Sequence, residues 1–150
     1  MRTIKFRGKI KNDPSYRPTN FGKGVWVVGL MGKRPCIDKI YANKFYINTG
    51  ENEFEVDPET IGQFTGMKDC NGEEIYEGDI IHVKGNTIDK DFGVVTFHKN
   101  GYFYIDDSFG EYPRDCVKPI GDFFNSISRN DFFQGMKFYV IGNIHDKKIK

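Results

Sequence analysis

Hydrophobic and polar positions alternate from the first residues of this chain. Ile4, Phe6 and Ile10 fall on one face of an extended segment, and Lys5, Arg7, Lys9 and Lys11 on the other, which predicts a strand with a buried side and a basic side. Two prolines in Asn12–Pro18 break the alternation and predict a loop. Gly24–Leu30, GVWVVGL, is apolar at almost every position, the pattern of a central strand covered on both faces. Phe45–Asn48 and Glu53–Val56 read as strands joined through the turn residues Thr49–Asn52. Asp57-Pro58-Glu59 reads as a single helical turn, with Asp as its cap and Pro in its first position.

Three short strands follow at close spacing, Asp79–Gly85, Phe92–Lys99 and Gly101–Asp106, and Asn100-Gly101 is the strongest hairpin signal in the chain. One segment, Asp122–Phe133, predicts a helix; Phe123, Phe124 and Ile127 share its face, while Phe132 and Phe133 fall off it. Lys137–Ile144 reads as a closing strand before a basic tail. The pattern predicts an all-β fold with at most one or two short helices. Residues 1–78 form an N-terminal strand region with an acidic turn segment, and residues 79–150 a small SH3-like barrel or meander, the two making one unit.

Composition agrees. Fourteen Phe, eight Tyr and one Trp, with 17 Gly, favour strands and turns over a helix bundle. A chain of 150 residues buries enough surface to need no metal or disulfide for stability. Cys36, Cys70 and Cys116 stand far apart with no C-x-x-C spacing, which predicts reduced thiols in a cytoplasmic protein. Cations interrupt the residues after Met1, and no apolar stretch is long enough to span a bilayer, so neither a leader nor a membrane partner is expected.

Charge changes the picture more. Net charge is +1, yet Met1–Lys44 carries eleven bases against two acids, and Phe45–Asp79 one base against ten acids. Oppositely charged segments of this size pair with each other, within one chain or between copies, or leave the basic half to meet nucleic acid.

The densest local signal is GMKDCNGEEIYEGDII, Gly66–Ile81. Placing Gly72 at the sixth position of a calcium loop puts Met67 first and Gly78 twelfth, and neither offers a side-chain oxygen. A looser set, Asp69, Glu73, Glu77 and Asp79, lacks any regular spacing, so the segment reads as tandem turns at Asn71-Gly72 and Gly78-Asp79 that aim the next strand into the core. His82 and His98 could share a face of neighbouring strands, but without a third ligand they are a poor zinc site, and His145 stands apart. The carboxylate pairs Glu73-Glu74 and Asp106-Asp107 point to opposite faces of an extended chain and do not form an acid–base dyad. No nucleophile motif, phosphate loop or metalloprotease signature occurs. No catalytic residue, metal or cofactor is expected; a metal-dependent hydrolase is the enzymatic alternative, and bound metal would reveal it.

Nucleic-acid binding is the chief physical alternative to a plain interaction protein. Lys5, Arg7, Lys9 and Lys11, with Lys33 and Arg34, would neutralise phosphates, and the exposed members among Tyr102, Phe103 and Tyr104 would stack bases. The competing explanation is that edge strands carry outward Lys to block pairing with other chains.

Glu55–Ile81, EVDPETIGQFTGMKDCNGEEIYEGDII, closely resembles the signature of the YopX family of phage and prophage proteins. IKFRGK at Ile4–Lys9, VWVVGL at Val25–Leu30, the GVVTFHKNGYFYI hairpin and YVIGNIHD at Tyr139–Asp146 are similar to other parts of that family, with Gly121–Met136 as a variable insertion. Cys70 and His145 depart from the family's usual residues. The resemblance implies a β-dominated phage protein that self-associates, and it supplies no activity or catalytic residue. On this reading the chain is a non-enzymatic homo-oligomer in the bacterial cytoplasm, with a host or phage protein as a further partner. Glu73, Glu74, Glu77 and Asp79 would stay exposed and face the basic strand or a neighbouring subunit.

Overall fold

The computed structural model describes residues 3–11, 25–33, 44–86, 88–106, 119–129 and 135–146. Asn12–Pro18, Arg34, Cys36, Asp107, Cys116, Phe132 and Phe133, all singled out in the sequence, lie outside them. The fold is all-β, with antiparallel pairings throughout, and the chain divides into two compact units, 1–64 and 65–150.

In the first unit, β1 (Phe6–Lys9) pairs with β2 (Trp26–Lys33), which pairs with β3 (Phe45–Asn48), which pairs with β4 (Glu53–Val56). The β3–β4 turn is built as the sequence indicates: the Gly50 N–H donates to Asn48 Oδ1 at 2.8 Å, and the Thr49 N–H to Asn52 O at 2.9 Å. β4 then returns to the end of β1. Ile10 and Val56 form an antiparallel bridge, flanked by Lys11 N–H donating to Glu55 O (3.0 Å) and Asp57 N–H to Lys9 O (2.9 Å). These bonds close the four strands into a ring.

Val27, Ile47, Phe54 and Val56 are buried within the ring, with Phe6, Ile10, Phe45 and Ile61 packed against them. Gly8 faces this core, where a Cβ would sit 3.2 Å from both Ile47 Cδ1 and Val56 Cβ, so a side chain at this position would have to push the core apart. A 3₁₀ turn, Pro58–Thr60, follows with Asp57 as its cap and Pro in the first turn. It is anchored to β1 by the Lys9 N–H, which donates to Thr60 Oγ1 at 2.8 Å. The first residues of β5 (Gly62–Lys68) then pair with the free side of β1. β1 is therefore an interior strand, and edge protection does not account for its lysines.

In the second unit the end of β5 lies beside β6 (Glu74–Tyr76), with the Thr65 hydroxyl donating to Ile75 O at 2.8 Å. The sequence pattern shows neither strand: β6 has only three residues, and both border residues that read as turns, Asn71-Gly72 and Gly78-Asp79. β7 (Asp79–Lys84), β8 (Asp89–His98) and β9 (Tyr102–Asp106) form the expected meander, with Asn100-Gly101 in its second hairpin. After α1 (Ile120–Arg129), β10 (Lys137–Asn143) adds to β7, giving the order β10-β7-β8-β9. Among the described pairings this sheet is open, and it is the first unit that closes on itself.

Ile75, Ile81, Val83, Val95, Phe103, Ile120 and Phe138 make the second core. α1 starts two residues before the expected Asp122, because Ile120 joins the core and Phe124, one turn on, packs its ring 4.7 Å from that of Phe138. Pro119 precedes it, a residue well suited to a helix start.

Candidate functional site

Three polar clusters were legible as candidates, and the structure assigns them different work. The acidic segment is an architectural clamp. Asp69 Oδ1 accepts from the N–H groups of Asn71 (2.8 Å) and Glu73 (2.9 Å), while Oδ2 accepts from the Val140 N–H of β10 (2.9 Å). Beside it, the Cys70 N–H donates to Phe138 O at 3.1 Å, and the Phe138 N–H to Cys70 Sγ at 3.4 Å. One aspartate thus shapes its own turn and ties it to a strand some seventy residues away.

Asp79 does the same at the far end of the segment. It is 0% exposed, against the expectation that the acids face solvent or a partner. Its Oδ2 accepts from the Tyr76 N–H (2.8 Å) and its Oδ1 from Asn143 Nδ2 (3.0 Å). Donors aimed at the carboxylate oxygens replace its lost hydration. The strand pattern carried the signal: Asp79, Ile81 and Val83 share one parity in β7, and all three are buried. Gly78 at φ +86° makes the intervening turn, and a Cβ there would lie 2.9 Å from Asn143 Nδ2. Of the remaining acids, Glu73 is exposed, Glu77 is half-buried, and Glu74 accepts from the Tyr76 hydroxyl at 2.7 Å. Among the described residues no three His, Cys, Asp or Glu side chains are placed to hold a metal ion.

The histidines do not come together. His82 lies opposite Asp91, with Nδ1 2.9 Å from Asp91 Oδ1 and Nε2 2.7 Å from Asp89 Oδ1. The Asp91 hydrogen bond holds the His82 pKa above the usual imidazole value, against the opposing effect of burial, and Asp89 adds to the rise. His98 sits at the other end of β8, stacked on Tyr102 at 4.6 Å and edge-on to Tyr104 at 5.7 Å. Phe103 is buried in the core, while Tyr102 and Tyr104 are half-buried, with burial the main cause of a raised Tyr104 pKa.

The basic strand is the third cluster, and it acquires a partner that the sequence reading missed. The register sets Lys9 opposite Trp26 and Arg7 opposite Val28. The Arg7 guanidinium lies 4.4 Å and Lys9 Nζ 4.9 Å from the centroid of the Trp26 ring, and Lys5 Nζ lies 4.8 Å from that of Phe64. These contacts keep cations and aromatic faces together while leaving the charge intact. Lys11, at the ring closure, lies 3.8 Å from Glu55, which Lys44 also meets at 3.4 Å. Lys33 is set apart, opposite Phe45 at the far end of β2 and 5.6 Å from its ring. β2 is central as expected, yet Val28 is 39% and Leu30 65% exposed, so it is not covered on both faces. The alternation Trp26, Val28, Leu30 was the available signal for an outer row beside the cations.

The profile of the family described as YopX protein matches residues 26–148. The chain belongs to the YopX family. No curated protein and no solved structure matches it. The YopX span begins at Trp26, so the β1 cations precede it, while Trp26 and both clamping aspartates fall inside it. No helix among the described residues is long and apolar enough to cross a membrane.

Proposed function

We propose that this YopX protein is a non-enzymatic phage or prophage accessory protein of the bacterial cytoplasm that binds nucleic acid through the outer face of β1. The carrying observation is the gathering of Lys5, Arg7 and Lys9 on one side of an interior strand, in contact with Trp26 and Phe64. Cations supply phosphate neutralisation, and the aromatic and apolar row beside them offers surface to bases. Labelled single- and double-stranded oligonucleotides, titrated at two salt concentrations, test it. If three phosphates are neutralised, affinity falls roughly 20- to 40-fold between about 50 and 200 mM salt. Lys5→Glu combined with Arg7→Glu removes most of the binding, with far-UV circular dichroism confirming that the variant is folded. No binding at low salt would sink this reading.

A second reading, self-association, is favoured by the exposed Val28 and Leu30 on β2, together with the opposite charge of Met1–Lys44 and Phe45–Asp79. Solution mass at low and high salt separates the two. A multimer that responds to salt supports association, and a strict monomer at every concentration removes it.

A further inference from the structure

We infer that the β1–β2 face takes single-stranded rather than double-stranded nucleic acid, with Trp26 and the Arg7 guanidinium as its stacking surface. The inference rests on the nucleic-acid reading and names its substrate class. Two columns run side by side on this face. Lys5, Arg7 and Lys9 form the first, and Trp26 and Val28 the second, paired in register with Lys9 and Arg7. Adjacent strands lie about 4.8 Å apart, so phosphates held by the first column would place their bases over the second.

Curvature favours the single strand. The Ile10–Val56 closure makes this the outside of a narrow ring, a surface that a flexible strand can follow and a stiff duplex touches only in passing. Between the columns lies a stacking surface. The Arg7 guanidinium lies over the Trp26 ring, and this pair, continued by exposed Val28, accepts the faces of bases without reading their edges.

Trp26 is the chain's only tryptophan, so its emission reports this site directly. The test titrates the full chain with labelled oligothymidylate and with a duplex of equal length, following anisotropy and Trp26 fluorescence together. The expected result is quenching of Trp26 by the single strand, bound at least about tenfold tighter than the duplex. Trp26→Leu should weaken single-strand binding by about tenfold, and Trp26→Phe, which keeps a ring, by much less. Equal or tighter duplex binding, or unchanged Trp26 emission on saturation, overturns the inference and leaves the basic-face reading standing. No binding of either at low salt overturns both. If Trp26→Leu does not fold, the wild-type quenching and the single-strand to duplex ratio decide alone.

Discussion

Asp79→Ala is expected to lower the stability of the second unit by about 3 kcal/mol. The carboxylate is fully buried, and its two oxygens receive the Tyr76 N–H and the Asn143 side-chain amide. Alanine removes both acceptors, leaving the Asn143 amide only its long 3.5 Å bond to Glu77 O, and each buried donor without an acceptor costs about 1–3 kcal/mol. The loss extends further, because Asn143 also accepts from the His145 N–H at 3.0 Å and cannot turn its amide over without giving that bond up. Asp79→Asn is the informative comparison. It keeps the shape and one acceptor but sets an NH₂ against a donor, so about half of the loss is expected. Chemical denaturation followed by far-UV circular dichroism measures both variants. An Asp79→Ala midpoint indistinguishable from that of the wild type would show that the buried carboxylate does not hold the turn.

The second large effect belongs to the first unit. Ile47→Ala should cost about 2–5 kcal/mol, near the upper end of that range. Ile47 is 0% exposed inside the ring, with Gly8 opposite it leaving no side chain to move into the vacated space. Backbone hydrogen bonds close the ring at Lys11–Glu55 and Asp57–Lys9, so the walls cannot easily collapse inward. Trp26 sits on the same ring and reports its unfolding by fluorescence. Leu30→Ala is the control: at 65% exposure it should change stability by less than about 0.5 kcal/mol. Equal effects at the two positions would contradict the assignment of Ile47 to the core.

What the sequence made legible follows from how local each feature is. The strand limits of β3 and β4, the Asp57-Pro58 turn and the Asn100-Gly101 hairpin depend on a few neighbouring residues, and each appears where its turn chemistry puts it. The ring closure depends on Ile10 meeting Val56, and the clamps on Asp69 meeting Val140 and Asp79 meeting Asn143. No window along the chain contains both members of these pairs. The candidate site divides in the same way. The alternation of Lys5, Arg7 and Lys9 was visible directly, whereas their placement on Trp26 required a register across the intervening loop. Family resemblance marked Glu55–Ile81 correctly, and the geometry now explains two of its acids, Asp69 and Asp79, as holders of backbone.

The long reach of those two aspartates also sets an order of events during synthesis. Every hydrogen bond described for the first unit joins residues no later than Phe64, so its ring is complete in composition once that residue has been made. The second unit has no such early point. Its signature turns stay unclamped until Val140 and Asn143 emerge, near the end of the chain as given. On a ribosome adding about 5–20 residues per second, that is an interval of several seconds. Through it, β7 and its apolar side chains wait for β10, while the first unit is free to fold.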